Sequence, residues 1–216
     1  MNGFESPDDQ QPVTWLRGYP VYAVHLVVAV FVASMLVTTV LQAASAHGVL
    51  AFLPFSSEAV LRGEIWRVAT YGFFNPPSLW FAIDMLMIAW FGRELERFFG
   101  RNAFLKLYAC LYLLPPVLLT VLGLWRPTTL AGQTGGFALF IAFATLYPNA
   151  PMLFNLLAKW VAMILFGLFT LMALADNDWV RLISLWATAG FAHASVRAAQ
   201  GRLNLPTATL RRPEPK

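Results

Sequence analysis

The sequence contains little charge, one cysteine and few histidines. Charged residues make up 12% of its 216 residues, and it has a single cysteine, Cys110, and 3 histidines. One cysteine excludes an intramolecular disulfide and the metal motifs that need several spaced thiolates. No spaced group of histidines and carboxylates shares a helix face, so the sequence predicts neither a bound metal nor a cofactor. The low charge also excludes an ordinary soluble globular surface.

Hydrophobic residues make up 58% of the chain instead. An α-helix that crosses a lipid bilayer needs about 20 mostly apolar residues. Six apolar runs predict an all-α, polytopic membrane protein with six transmembrane helices, which we call spans one to six. Spans four and five fall short of the usual length. The six runs cover residues 21–44, 79–98, 104–125, 132–147, 160–175 and 179–196.

The basic residues indicate how the spans are oriented. Eleven of the 15 lysines and arginines fall in or next to the two tails and the connections between spans two and three and spans four and five. The remaining four fall on the opposite side. The positive-inside rule therefore predicts two cytoplasmic termini, as expected in a bacterial inner membrane or an endoplasmic reticulum membrane. These charges lie at helix ends, where lipid headgroups suffice as partners, which argues against nucleic-acid binding.

The apolar runs define one domain between two polar tails. We predict a membrane domain over residues 21–198, a disordered cytoplasmic tail over 1–20, and a disordered, basic cytoplasmic tail over 199–216. The first tail lacks the basic start and the cleavage site of a signal peptide. The sequence carries no marker of an oligomeric state.

The connection between spans one and two is long and aromatic. We call residues 45–78 loop one; its apolar side chains are interrupted by prolines and glycines. This composition is typical of a segment that lies in the membrane interface, where aromatic side chains serve as anchors. Loop one is therefore predicted to be membrane-associated.

Span two contains a carboxylate, Asp84. It stands about five residues, or on the order of 8 Å, inside the outer boundary. A carboxylate at that depth costs several kcal/mol unless it is protonated, solvated or bonded, so Asp84 is predicted to face the bundle interior. It can be a structural hydrogen-bond donor or a group that takes part in chemistry.

Local patterns also predict where helices are interrupted. Pro115 and Pro116 remove two backbone donors from span three, so a kink or a break is expected there. The stretch YPNAP at residues 147–151 predicts a turn that ends span four. The cluster of acids and an amide at residues 176–178 predicts an exposed turn between spans five and six.

The order of these features resembles that of the rhomboid superfamily of intramembrane proteases and their pseudoprotease relatives, including the derlins. The segments GEIWRVATYGFF (63–74) and FGRELERFFGR (91–101) are followed by a glycine-rich start of span four and by small residues in span six. The resemblance covers residues 63–198 and implies a six-helix rhomboid-like bundle.

Individual residues match the family's structural motifs. In loop one, Trp66 and Arg67 with Thr70 match its signature, and Glu96 with Gly100 matches its ExxxG pattern after span two. The resemblance implies that two small residues press span six against span four. Those small residues are Gly190 and Ala194.

The catalytic positions of the family are changed in this sequence. The family's nucleophilic serine lies in a GxSG motif, which here reads Gly132, Gln133, Thr134, Gly135. The resemblance places Ala187 at the position of the partner histidine. It places Trp80 and Asp84 at the positions of the histidine and asparagine that support the oxyanion. No catalytic side chain of the family is therefore intact.

A hydroxyl needs an adjacent base to become a nucleophile. Ala187 offers none, and His193 lies about 9 Å further along span six, towards the cytoplasmic end. An ionised Asp84 would repel the developing oxyanion, whereas a protonated Asp84 could not act as a base. Peptide hydrolysis through Thr134 is therefore disfavoured.

The polar start of span four then has a structural interpretation. Glycines at 132, 135 and 136 allow neighbouring helices to approach closely, and Thr134 or Gln133 can bond Asp84. Glycine-rich backbone at membrane depth is tolerated where it is buried in protein or faces a wet cavity. Span four is therefore predicted to be central, short and shielded from lipid.

Three functions follow for this chain in its lipid bilayer. The resemblance implies a catalytically inactive rhomboid-like protein that binds transmembrane segments of client membrane proteins, with lateral entry beside loop one and between spans two and five. One alternative is a divergent rhomboid intramembrane endopeptidase of the serine/threonine type that uses Thr134. The other is a non-enzymatic membrane scaffold or transport subunit.

Overall fold

The computed structural model describes residues 12–132, 135–152 and 155–201, and these residues are mostly helical. Four short strands accompany the helices: β1 (Thr14–Leu16), β2 (Tyr19–Val21), β3 (Phe55–Ser56) and β4 (Thr129–Leu130). In chain order the helices are α1 (Ala23–Ala43), α2 (His47–Leu50), α3 (Ser57–Leu61), α4 (Arg67–Thr70), α5 (Leu79–Phe99), α6 (Arg101–Leu122), α7 (Gly136–Leu146), α8 (Ala158–Ala175) and α9 (Trp179–Ala199).

Each of the six apolar runs coincides with a helix, namely α1, α5, α6, α7, α8 and α9. Three of these helices, α1, α6 and α8, are long and apolar enough to cross a membrane. α7 is apolar but has only 11 residues. α5 and α9 are 21 residues long, but α5 carries charges near its C-terminal end as well as Asp84, and α9 carries an arginine near each end. The helical class and the membrane-protein class are confirmed, and the number of six spans stays a prediction.

The short helix α7 lies at the centre of the bundle. It packs on α5, α8 and α9, and eight of its side chains or glycines are buried. At 1.5 Å per residue it is about 16 Å long, roughly half the thickness of the hydrocarbon core. The prediction of a central, short and shielded helix is confirmed. Its C-terminal turn at Pro148 and Asn149 is also confirmed.

Loop one folds against the connection between α6 and α7. β3 pairs with β4 in an antiparallel ladder, in which Phe55 lies opposite Leu130. Beside it, the Thr128 N–H donates to the Ser57 hydroxyl at 2.9 Å, and the Ser57 N–H donates to the Thr128 carbonyl at 2.9 Å. These bonds satisfy backbone groups that lipid could not satisfy, so two distant parts of the chain form one folded outer layer.

Of the kink or break predicted at Pro115 and Pro116, the break is wrong, because α6 runs without interruption from Arg101 to Leu122. A proline at position 116 cannot donate to the carbonyl of Tyr112, four residues earlier. That carbonyl instead accepts a hydrogen bond from the Tyr71 hydroxyl at 2.6 Å. A side chain from loop one therefore replaces a bond that the helix lacks.

The prediction of a disordered tail over residues 1–20 is wrong for residues 14–20. β1 and β2 pair as an antiparallel hairpin whose turn residues, Arg17 and Gly18, have φ of 50° and 85°. Positive φ at both turn positions matches the right-handed twist of the strands, and glycine adopts it without strain. Residues 1–11 and 202–216 of the predicted tails lie outside the described residues.

Candidate functional site

The candidate site is the segment that leads into α7, beneath loop one. Gly132 has φ of 67°, and its N–H donates to the Tyr71 carbonyl at 3.0 Å. A Cβ at position 132 would lie 2.9 Å from the Phe74 carbonyl oxygen, so only glycine allows this approach. Gly135, with φ of 85°, is the N-cap of α7. Thr134 and Gln133, which were predicted to bond Asp84, lie outside the described residues.

The Asp84 carboxyl lies against Gly136, the first residue of α7. A Cβ at position 136 would overlap the Asp84 carboxylate and lie 3.1 Å from the Asp84 backbone oxygen. Asp84 is half-buried, as expected of an intramembrane acid that faces the bundle interior. The N-terminus of a helix favours negative charge, and the Asp84 carboxyl lies at that end of α7.

The other two positions that the resemblance assigns to catalysis offer no base. Trp80 is 76% exposed near the start of α5 and does not line the interior. Ala187 is half-buried in α9, but a methyl group can neither donate nor accept a proton. Neither Trp80 nor Ala187 therefore supplies a base at the start of α7.

His193 lies at the opposite end of α7 from Gly136. Its Nδ1 is 3.0 Å from the Thr145 hydroxyl, which donates its proton to the Ile141 carbonyl at 2.8 Å. Because that hydroxyl has one proton, the imidazole Nδ1 must be the donor. Thr145 is nine residues after Gly136, or about 13 Å along the helix. This confirms the prediction that His193 lies far from the start of span four.

His25 also lies away from the candidate site. It is in the first turn of α1, and its Nδ1 accepts a hydrogen bond from the Tyr22 N–H at 3.1 Å. The side chain of His47, in α2, lies outside what the structure describes. Neither of the two described imidazoles therefore stands beside the start of α7.

The Glu96 and Gly100 pair connects three helices. Glu96 is 3% exposed, and its carboxylate accepts from the N–H groups of Ala23 at 2.9 Å and Val24 at 3.0 Å. These donors belong to the first turn of α1, whose N–H groups have no acceptor within the helix. Gly100 has φ of 80° and turns the chain from α5 into α6. The motif therefore fixes the start of α1 to the end of α5.

Arg67 and Thr70 hold loop one together. Arg67 Nε pairs with Glu64 at 2.6 Å, and Arg67 Nη1 donates to the carbonyls of Ala51 at 2.9 Å and Pro54 at 2.8 Å. The Thr70 hydroxyl donates to the Leu53 carbonyl at 3.1 Å. Trp66, beside them, is 50% exposed and faces outwards. The motif thus has a local structural role, in which Arg67 serves three acceptors at once.

Replacing Arg67 with lysine is expected to destabilise loop one by about 1–3 kcal/mol, because an ammonium lacks the planar fork that reaches all three acceptors. The measurement is the rate of limited proteolysis within residues 51–67 in detergent. Arg62→Lys is the matched control, since the exposed Arg62 side chain has no partner among the described residues. Equal cleavage rates in the two variants would contradict this role of Arg67.

The packing role expected for Gly190 and Ala194 is wrong. Both residues are exposed, and a Cβ at position 190 would meet no atom within 4 Å. The buried face of α9 contains Ala189, Ala192 and Val196 instead. Successive residues of a helix are rotated by about 100° about its axis. The packed face of α9 is therefore displaced from the face that the motif indicated.

The sequence interpretation missed the hydrogen bonds that join loop one to α6. The Tyr112 hydroxyl donates to the Ala69 carbonyl at 2.7 Å and accepts from the Gly72 N–H at 3.1 Å. Burial raises the pKa of Tyr71, so its hydroxyl remains the donor to the Tyr112 carbonyl at every physiological pH. Buried tyrosine hydroxyls need such partners, and that requirement could have indicated hydrogen bonds at Tyr71 and Tyr112 from the sequence.

Asn75 is a further hydrogen-bonding residue that the sequence interpretation missed. It is 2% exposed, and its Nδ2 donates to the Ser34 hydroxyl at 2.9 Å and to the Gly72 carbonyl. It lies next to the close approach of Gly132 to the Phe74 carbonyl. Gly132 therefore lies beside a hydrogen-bonded layer that includes α1, loop one and α6.

Comparison with known proteins gives one match. Residues 24–195 match a family described as eukaryotic integral membrane protein (DUF1751). No curated protein and no solved structure matches the chain.

Proposed function

The chain belongs to the eukaryotic integral membrane protein family DUF1751, and from that premise we propose that it binds transmembrane segments of other membrane proteins without cleaving them. The proposed fold is a rhomboid-like bundle of six spans with loop one in the outer interface. Both termini are cytoplasmic in this proposal. The eukaryotic description of the family favours the endoplasmic reticulum membrane over the bacterial inner membrane.

The proposed absence of peptidase activity rests on the position of Asp84 against Gly136. A carboxylate at the start of α7 occupies the region where a peptidase needs donors for its oxyanion, and each such donor is worth about 3 kcal/mol. The described imidazoles contact Thr145 and Tyr22 instead. This arrangement supports a structural polar cluster rather than a nucleophile and its base.

The side of the bundle formed by α5 and α8 supports client binding. Both helices pack on α7, with little direct contact between them. Their outer surfaces carry large exposed side chains, including Trp90 at 60% and Leu168 at 50%. Membrane helices associate through packing and hydrogen bonds. A client helix that enters between α5 and α8 would reach α7 and its polar start.

Client binding is tested with a single-span protein in proteoliposomes and a photocrosslinking amino acid at Trp90 or Leu168. Crosslinking at these positions is expected to exceed that at Leu36, an equally exposed control on α1, by roughly tenfold, the ratio that about 1.4 kcal/mol of preference gives. Thr134→Ala should leave the crosslinking unchanged. Equal crosslinking from all three positions would refute this entry side.

The enzymatic alternative makes the opposite prediction about Thr134. An active peptidase would cleave the same single-span protein and react with a serine-directed phosphonate, and Thr134→Ala would abolish both. The non-proteolytic proposal expects no cleavage product above the level of Thr134→Ala. A phosphonate adduct on Thr134 together with cleavage that depends on it would overturn the proposal.

The scaffold or transport alternative is the third candidate. A transport subunit needs a continuous wet path between the two sides, and α7 is closely packed by buried Leu139, Phe140 and Phe143. Solute flux through proteoliposomes containing the protein would favour transport. Flux equal to that of empty liposomes is the expected result.

A further inference from the structure

Three polar side chains lie four residues apart on the inner face of α1. The Ser34 hydroxyl accepts from Asn75 Nδ2 at 2.9 Å, and the Thr38 hydroxyl donates to the Phe73 carbonyl at 3.1 Å. Gln42 is the next residue in this series; it is half-buried, and its side-chain amide has no hydrogen-bond partner among the residues that the structure describes. An amide without a partner inside the protein keeps its donors and its acceptor available to a molecule outside it.

Gln42 lines a cavity between the end of α1 and loop one that is open to the protein surface. The cavity has a volume of about 450 Å³, and Leu50, Ala51, Pro54 and Phe74 form its other walls. This volume lies within the range of small-molecule sites, which combine apolar walls with a few polar groups. The walls therefore suit a ligand that is mostly apolar and has one uncharged acceptor or donor.

The charge beside the cavity is neutralised. Arg67 donates to the carbonyls of Ala51 and Pro54, two of the lining residues, and pairs with Glu64 at 2.6 Å. The ring of Phe52 lies 5.9 Å from the guanidinium carbon. A cation that already has a carboxylate partner contributes little to the binding of an anion. The site therefore does not select for an anionic headgroup.

The position of the cavity along α1 indicates its depth in the bilayer. α1 has 21 residues, which span about 31 Å, close to the hydrocarbon thickness of about 30 Å. Gln42 is the penultimate residue of α1, so it lies where acyl chains meet the ester groups of lipids. Exposed Val37 and Val40 on the same end of α1 face the lipid directly.

We propose that this cavity binds a glycerophospholipid with a neutral headgroup, such as phosphatidylcholine. The first part of one acyl chain fills the space between Leu50, Pro54 and Phe74, and an ester carbonyl accepts a hydrogen bond from the Gln42 amide. Its lining residues belong to α1 and loop one and none of them to α5 or α8, so the proposal stands whether or not clients bind.

The test uses proteoliposomes that contain phosphatidylcholine with a diazirine in one acyl chain. After photolysis, labelling at residues 50–54 and Phe74 is expected to exceed labelling at the lipid-exposed Leu168 and Leu171 of α8 by roughly tenfold. Ala51→Phe fills the cavity and should reduce the labelling of Phe74 to the α8 level. Unchanged labelling of α8 in this variant shows that it is folded.

Gln42→Leu tests the hydrogen bond while keeping the size of the side chain. The wild type is expected to prefer the ester probe over an ether-linked analogue, which lacks the carbonyl, by roughly threefold to tenfold, as one hydrogen bond gives. In Gln42→Leu the two probes should label equally. Cavity labelling no stronger than that of α8, or labelling by photoreactive cholesterol in place of phosphatidylcholine, would overturn the proposal.

Discussion

Glu96→Ala is expected to cost about 3–6 kcal/mol of folding free energy, because two hydrogen bonds to a charged acceptor are worth about 1.5–3 kcal/mol each. The Glu96 carboxylate is buried and holds the N–H groups of Ala23 and Val24. Alanine leaves both donors without a partner at the first turn of α1. Glu96→Gln keeps one acceptor oxygen and should lose about half as much.

The measurement is the apparent melting temperature in detergent, where about 2–4 °C corresponds to 1 kcal/mol for a domain of this size. Glu94→Ala is the matched control, since the Glu94 side chain is half-buried and has no hydrogen-bond partner among the described residues. Hydrogen exchange at Ala23 and Val24 should accelerate only in the Glu96 variants. A loss in Glu94→Ala equal to that in Glu96→Ala would show that the helix cap contributes nothing.

Gly136→Ala is expected to destabilise the protein by about 1–3 kcal/mol, the usual cost of an added methyl group in a closely packed interface. The new Cβ would overlap the Asp84 carboxylate and lie close to the Asp84 backbone. The two packed helices must then separate at this point. The same melting measurement detects the loss.

A double-mutant cycle assigns this cost to Asp84. In an Asp84→Ala background the carboxylate is absent, so Gly136→Ala should cost at least about 1 kcal/mol less than in the wild type. Gly190→Ala is the matched glycine control, because a Cβ there meets no atom within 4 Å and alanine favours the helix. Additive losses from Asp84→Ala and Gly136→Ala would contradict the contact.

Much of the candidate site could be assigned from local motifs, but the contacts could not. The pattern of Glu96 and Gly100 marked two residues with a structural role, yet nothing near them indicated that α1, some 70 residues earlier, supplies the donors. The depth of Asp84 predicted an inward orientation, whereas its contact with Gly136 depends on how α5 and α7 meet.

The errors have the same origin. The sequence indicated small residues at Gly190 and Ala194, but the packed face of α9 is that of Ala189 and Ala192. The rotation of a helix about its axis is set by all of its neighbours, and α9 is apolar around most of its circumference, so its composition gives little sign of the packed side. Likewise, Pro116 indicated a kink or a break in α6. The hydroxyl that replaces its missing donor belongs to Tyr71, which is distant in the sequence and could not be foreseen.

The sequence alone determined that this is a helical membrane protein and where six of its helices lie, since the solubility of a segment in lipid depends on its own side chains. Only the tertiary structure decided that α7 is the packed centre, that Glu96 caps α1 and that Asp84 touches α7. Such pairings form between residues far apart in the chain, because backbone donors and carboxylates withdrawn from water must find partners wherever the packed helices bring them.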